Sequence, residues 1–434
     1  MSTSTSDRIV ATYRIETPLG LEEAAEALAG EQSSGTFIAV PGETEELKRR
    51  FRARVERIVP LETVDAPSLA GARAPGAGSA GYRRGEVVVS WPLENVGTNL
   101  PALVSTVEGN LYELREFSGL KLLDLELPPA FGAAYPGPQF GIDGTRALTG
   151  VSEGPIVGTI IKPSVGLSPE ETARVVDELA RAGIDFIKDD ELMANPPHSP
   201  LGERVAAVMD VVRRHADASG KKVMYAFNIT DDLDAMRRHH ETVVAAGGTC
   251  VMVSINSVGL PAVGALRREC AVPIHAHRNG WGMLTRHPLL GIEFRAYQKL
   301  WRLAGADHLH VNAFDNKFWE PDESVERSVR ACLEPLFAGG SARSFRVMPV
   351  LSSGQWGGQA PATYRATATT DVMYLAGGGI MAHPGGPASG VRAIRQAWEA
   401  AVRGIPLEEQ ARTHDELAAS LAKFGRRDAG ARSP

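Results

Sequence analysis

The sequence predicts an α/β fold: a C-terminal (β/α)8 TIM barrel preceded by a smaller, ferredoxin-like α+β domain. Three observations lead there. From Pro155 onward eight short β-rich runs recur, "PIVGTII", "IDFIK", "KVMYAF", "TCVMVSI", "VPIHAH", "DHLHV", "FRVMPVL" and "DVMYLA". Helical stretches fill most of the gaps, and eight strands alternating with helices over about 250 residues are the pattern of a closed parallel barrel. The first ~135 residues read differently, as strand-like runs interleaved with amphipathic ones. An open doubly wound sheet is the alternative for the second part, but no G-x-G-x-x-G turn follows its first strand.

In chain order, strands are expected at "RIVATYRIE", "GTFIAV", "ARVERIVPLE", "GEVVVSWPL" and "LKLLDLEL", and helices at "PLGLEEAAEALAGE" and "NLPALVSTVEGNLYEL". The Gly/Ala-rich insert 70–81 reads as a surface loop. Residues 1–137 are assigned to this domain, 138–415 to the barrel, and 416–434 to a polar C-terminal tail. Within the barrel, "SPEETARVVDELARAG" carries its own punctuation: Ser168 as N-cap, Pro169 at the first helical position, Glu171 closing a capping box and Gly183 at the C-terminus.

Charge and composition narrow the function. A formal charge of −6 and a pI near 6.0 leave no basic footprint, which argues against a nucleic-acid partner. No run approaches a membrane span, and "MSTSTSDRIV" lacks a charged-then-apolar leader. Cys250, Cys270 and Cys332 stand far apart and match neither a disulfide framework nor a zinc site. A cytoplasmic protein with no membrane partner is the expectation.

In a barrel the carboxyl ends of the strands converge on one site. Those positions hold Lys162, then Lys188 to Glu191, then His275 and His277, His308 and His310, Ser352 to Gly354, and Gly377 to Gly379. Alternate residues share a strand face, so Lys188 and Asp190 point the same way and Glu191 begins the loop. Two carboxylates form a modest site for a hard cation such as Mg2+, and a lysine ammonium would repel that ion. A carbamate formed from CO2 on Lys188 removes the conflict and adds a third oxygen ligand. Its formation needs the neutral amine, which burial favours. The plainer alternative is a solvated Lys–Asp ion pair. The two H-x-H pairs suggest a zinc amidohydrolase, but in those enzymes the pair precedes the lysine, and here it follows. The glycine run 377–379 offers backbone N–H groups to a phosphate. Arg278 could clamp a second anion, and Lys317 sits in a long loop placed like a lid.

"GTIIKPSVGLS", "DFIKDDE", "HAHR", "DHLHVNAFDNK" and "AGGGIMAHP", in this order and spacing, resemble the large subunit of RuBisCO, and within that family its form IV relatives, the RuBisCO-like proteins. "EQSSGTF" is similar to the family's phosphate-contacting loop, and Asn110 in "VEGNLYE" to its metal-proximal asparagine. The resemblance implies that Lys188 is carbamylated, that Asp190 and Glu191 complete the Mg2+ site, and that Lys162 is the acid/base lysine. It implies that His277 assists at the substrate hydroxyls and that Arg278 and His310 hold an anionic end of a phosphorylated sugar-derived substrate. Lys317 would be the lid lysine, and Ser352, Gly354, Gly377 and Gly378 would line the hydroxyl and phosphate sites. In this family a head-to-tail homodimer shares its sites, so Glu31, Thr36 and Asn110 would serve the partner's barrel.

The departures matter as much. Ser164 stands where carboxylating members have a second lysine, Phe37 where they have tryptophan, and Trp281 where they have a phosphate-binding histidine. Net CO2 fixation on a bisphosphate is therefore not expected, and a single phosphate fits better. "HRNGWG", "LSSGQWGGQAP" and "ELMANPPHSP" resemble members acting on 3-oxo-isoapionate 4-phosphate by decarboxylation or by transcarboxylation with hydrolysis. The alternatives are a methionine-salvage enolase, a 5-methylthioribulose-1-phosphate isomerase and a non-catalytic RuBisCO-like protein.

Overall fold

The computed structural model describes residues 7–34, 41–70, 72, 81–337 and 344–428. The strand expected at 35–40, Thr36 and Phe37 with it, and most of the Gly/Ala-rich insert lie outside the described residues. Two compact units form: Met1–Gly137 with Gly280–Ala304 and Pro335–Ser344, and Pro138–Asn279 with Gly305–Glu334 and Phe345–Pro434.

In the first unit, β1 (Arg8–Thr17), a helix Leu21–Glu31, β2 (Arg54–Val64), β3 (Tyr82–Pro92), a helix Leu100–Val107 and β4 (Gly119–Glu126) follow one another. The antiparallel order β4-β1-β3-β2 is the ferredoxin-like arrangement expected from the sequence. Period-2 alternation places Ile9, Ala11, Tyr13 and Ile15 of β1 on the buried face. Leu21, Ala24, Ala25 and Leu28 form the buried stripe of the first helix. A short helix Glu45–Phe51, capped by the Thr44 side chain, was not expected.

The second unit carries β5 (Ile156–Ile160), β6 (Phe186–Lys188), β7 (Met224–Asn228), β8 (Cys250–Ser254), β9 (Ile274–His277), β11 (His308–His310), β12 (Met348–Leu351) and β13 (Met373–Leu375). They close into a parallel barrel, with β13 pairing back onto β5 through Met373↔Ile156 and Leu375↔Gly158, so the open sheet is excluded. Phe186, Met224, Met252, Met348, Met373 and Leu375 fill its interior. On the other side of β5, a Cβ on Gly158 would stand 2.8 Å from the Phe186 carbonyl oxygen of β6, so only glycine lets that strand approach. The Ser168/Glu171 capping box forms as predicted, and Gly183 takes the left-handed conformation at φ +75°.

Two expectations need correction. The segment between β9 and β11, which the sequence assigns to the barrel, contains β10 (Leu290–Ile292), which runs parallel to β4 and extends the first sheet. The tail expected from residue 416 begins instead as a helix, Asp415–Asp428. Leu417, Leu421 and Phe424 share one face of it; Leu417 is fully buried and the Phe424 ring lies 5.6 Å from that of Trp356. No helix among the described residues is long and apolar enough to cross a membrane.

Candidate active site

Lys188 ends β6 on the same inward face as Phe186 and is fully buried. Its Nζ donates to the Asp189 carbonyl at 2.9 Å and to Glu191 Oε2 at 3.3 Å. Desolvation lowers the amine's pKa from its usual 10.5, against the opposing pull of Glu191, Asp190 and Asp189. Burial pushes the Glu191 carboxyl upward, but Lys188, His277 and hydrogen bonds outweigh it and hold the group at about 2. Lys162, at the end of β5, donates to Asp190 Oδ2 at 2.7 Å and to Ser164 Oγ at 2.7 Å. Each of the two candidate metal carboxylates is thus matched by one ammonium, and Ser164, where a second lysine would stand, accepts from the first.

This donor set tests the fit of a hard cation. Among the described residues no three His, Cys, Asp or Glu side chains converge as a metal cluster. Asp190 and Glu191 supply only two carboxylates, a modest seat for Mg2+, which the oxygens of a carbamate on Lys188 would strengthen. The residues fit the ion through that modification, and the buried, depressed amine suits it.

The first aspartate of the 188–191 stretch does different work. Asp189 faces out of the barrel and accepts from Tyr225 Oη at 2.5 Å, the Asn228 N–H at 2.9 Å and Arg204 Nε at 3.3 Å. Asn228 Nδ2 donates to the carbonyls of Asp190 and Glu191, each at 3.2 Å. Arg204, buried like Asp189, also donates to the carbonyls of Met193, Ala194 and Ser199. Asp189 therefore positions the strand end on which both candidate ligands sit. Asp189→Ala leaves the Arg204 charge buried without its carboxylate, an expected loss of about 3–5 kcal/mol in urea-melt stability.

On the opposite wall, His277 Nε2 lies 3.7 Å from Glu191 Oε2, and burial with the Lys188 charge lowers its pKa to about 4. Arg278 pairs with Glu320 at 2.9 Å, and Asn312 donates to the same Glu320 oxygen at 3.2 Å. Glu320 was not singled out in the sequence; it neutralises part of the charge expected to meet a substrate anion. His310 has both ring nitrogens engaged, Nε2 with His275 at 2.8 Å and Nδ1 with Ser352 Oγ at 3.1 Å. Lys317 is exposed on a loop tied down by Asn316, whose amide donates to the carbonyls of Ala313 and Glu320. Its Cβ lies 3.7 Å from where a Cβ on Gly354 would stand, so the lid loop meets the β12 loop. Asn312, Asp315 and Ser353 hold positive φ of 71°, 46° and 101° in these two loops, strained backbone of the kind that gathers at functional sites.

The glycine run divides in two. A Cβ on Gly377 would lie 4.0 Å from Lys162 Cε, whereas one on Gly379 would lie 2.8 Å from Trp356 Cα, so Gly379 serves packing. In the first unit, Asn110 Nδ2 donates to Glu31 Oε1 at 3.4 Å, bringing two of the expected trans-acting residues together. Trp281 is buried there among Tyr297 and Phe294, with ring centroids at 4.5 and 5.8 Å.

Residues 141–424 match the ribulose bisphosphate carboxylase large chain, catalytic domain, and residues 2–131 its N-terminal domain. The chain belongs to the ribulose bisphosphate carboxylase large-chain family. It is 54% identical to the 3-oxo-isoapionate-4-phosphate transcarboxylase/hydrolase of Xanthobacter autotrophicus, covering 96% of this chain and 99% of that one. It is 51% identical to the 3-oxo-isoapionate-4-phosphate decarboxylase of Rhizobium etli, over 96% and 98% of the two chains. A crystal structure of a RuBisCO-like protein from Burkholderia fungorum superposes with a TM-score of 0.90 at 50% identity, over 96% of this chain and all of that one.

Proposed function

We propose that the chain is a Mg2+-dependent enzyme acting on 3-oxo-isoapionate 4-phosphate, as a decarboxylase or as a transcarboxylase/hydrolase. The observation that carries this reading is the intact charged cluster, in which buried Lys188 faces Glu191 while Lys162 holds Asp190. Full-length identity above 50% to enzymes of both names supports the substrate.

A Mg2+ ion held by Asp190, Glu191 and the Lys188 carbamate would supply Lewis acidity to the substrate ketone and its neighbouring hydroxyl. The rest falls to the chain's own residues. In a 3-oxo acid the bond from carboxylate to carbon breaks, and its electron pair passes toward the ketone oxygen. Lys162, fixed between Ser164 and Asp190, delivers a proton to the carbon that has lost the carboxyl group. Lys317 closes over the departing carboxylate. Arg278 already shares its charge with Glu320, so the one phosphate is assigned to the Gly377–Gly378 end. Purified protein with this substrate is expected to release CO2, or to cleave it with hydrolysis, only while Mg2+ is present. Turnover of a methylthio-sugar phosphate with none of the branched acid would overturn the reading in favour of methionine salvage.

The shared site is part of the proposal. Glu31 and Asn110, hydrogen-bonded to each other, are assigned to the barrel of a second copy in a head-to-tail dimer. Glu31→Gln and Lys188→Ala copies, each inactive alone, are expected to recover about 25% of wild-type activity when unfolded and refolded together in equal amounts. Random pairing makes half the dimers mixed, and each mixed dimer has one intact site. Recovery near zero would mean that each chain completes its own site.

A further inference from the structure

Strands β9 and β11 are neighbours, and their register sets His308 beside His275. Inside the barrel this builds an unbroken row of side chains. Thr145 Oγ1 lies 2.9 Å from His308 Nε2, and His308 Nδ1 lies 3.3 Å from His275 Nδ1. His275 Nε2 lies 2.8 Å from His310 Nε2, and His310 Nδ1 lies 3.1 Å from Ser352 Oγ. Phe186 stacks on His275 with ring centroids 5.1 Å apart and planes 29° from parallel, which fixes the central ring. All three imidazoles are buried, and that burial holds each below the usual histidine range, His308 at about 3. At neutral pH each therefore has one N–H and one bare nitrogen.

One end of the row fixes all the rest. The Thr145 hydroxyl donates to the Gly141 carbonyl, so towards His308 its oxygen can only accept. His308 then carries its hydrogen on Nε2 and accepts at Nδ1 from His275. His275 carries its hydrogen on Nδ1 and accepts at Nε2 from His310. His310 carries its hydrogen on Nε2 and accepts at Nδ1 from the Ser352 hydroxyl. Any other assignment sets two hydrogens or two lone pairs against each other in a buried contact.

We propose that this one-directional chain, anchored at Thr145, fixes the tautomer of His310 and makes Ser352 a hydrogen-bond acceptor selective for a substrate hydroxyl. The Ser352 hydrogen is committed to His310, so its oxygen offers the substrate only lone pairs. A phosphate or carboxylate oxygen finds no donor there, and none on His310, whose single N–H is spent on His275. His310 is accordingly a positioning residue that acts through Ser352, and the anionic groups of the substrate are bound elsewhere. The choice of a hydroxylated ligand rests on the reaction proposed above; the tautomer of His310 does not.

Full-length protein labelled with 15N-histidine tests this by NMR, with His275→Gln, His308→Gln and His310→Gln each removing its own signals. Wild type is expected to show the His310 proton on Nε2 near neutral pH. In Thr145→Val the His308 Nε2 faces a methyl group, where a buried N–H without an acceptor is disfavoured. The row is then expected to reverse, placing the His310 proton on Nδ1, while Thr145→Ser keeps the wild-type pattern. A His310 proton on Nδ1 in wild type, or no change in Thr145→Val, overturns the proposal. Should the valine variant fail to fold, wild type and Thr145→Ser still decide. Assayed with 3-oxo-isoapionate 4-phosphate, Thr145→Val is expected to be inhibited by inorganic phosphate about tenfold more tightly than wild type, because the reversed row frees the Ser352 hydrogen to donate while one of its lone pairs still accepts. Unchanged phosphate inhibition in a variant whose row has reversed would remove the acceptor-only role of Ser352. If wild type leaves that substrate untouched, the proposed reaction fails while the tautomers remain readable.

Discussion

Lys188→Met is expected to reduce turnover by about 10³-fold or more while leaving the barrel at least as stable as wild type. The functional loss follows from ligand count. Asp190 and Glu191 remain, but the two are a weak seat for Mg2+, and the Lewis acidity of that ion is worth several kcal/mol of transition-state stabilisation. The structural tolerance follows from burial. Lys188 is enclosed at the end of β6, and methionine replaces its stem without a buried charge. The sign with pH can be worked out. The folded-state pKa lies below the usual 10.5, so the unfolded chain binds more protons at this site than the folded one. Wild-type stability therefore rises relative to the variant as pH climbs toward 10.5, and denaturant melts at two pH values measure it. Activation has the same root. An unshifted lysine is only about 0.4% neutral at pH 8, whereas a depressed one offers more reactive amine. Preincubation with bicarbonate and Mg2+ is expected to raise activity, increasingly with pH, and 13C-bicarbonate to give a carbamate resonance that the variant lacks. Equal activity in Lys188→Met would remove the metal site from the mechanism.

How much of this the sequence discloses depends on whether a feature is local. Most barrel strands are buried on both faces and so read as apolar runs, interrupted in β6, β9 and β11 only by the lysine and histidines of the site, and all eight were legible without knowing their partners. Alternation also separates Lys188 and Asp190 from Asp189, since a one-residue step changes face. What Asp189 binds was not legible, because Tyr225, Asn228 and Arg204 reach it only after β6 and β7 pair and the helix Leu201–Ser219 folds back. β10 is three residues long and is defined by pairing with β4, some 170 residues earlier in the chain, so no local period announces it. The C-terminal helix is different. Leu417, Leu421 and Phe424 do repeat at helical spacing, a signal hidden by the polar residues around them. The H-x-H pairs marked histidines as functional, but their joining into one row needs the β9–β11 register, and the direction of that row needs Thr145.

Lys162→Met is expected to lower kcat by about 10²–10⁴-fold, the range for a positioned proton donor, with KM changed by no more than about threefold. Lys162 is the half-exposed cation of the cluster; its hydrogen bonds to Asp190 and Ser164 aim it, and they do not bury it. An ammonium held this way delivers a proton from one side only. In D2O the wild type is expected to place a single deuterium on one face of the carbon that loses CO2, and the variant, protonated by solvent, to label both faces. Ser164→Ala separates aim from chemistry. It removes one hydrogen bond of about 1 kcal/mol and should cost about five- to tenfold in kcat while keeping the label on one face. Were Lys162→Met to retain single-face labelling, the donor would have to be another group on the rim. His277 is then the nearest candidate across the site, although its low pKa leaves it uncharged and a poor acid at neutral pH.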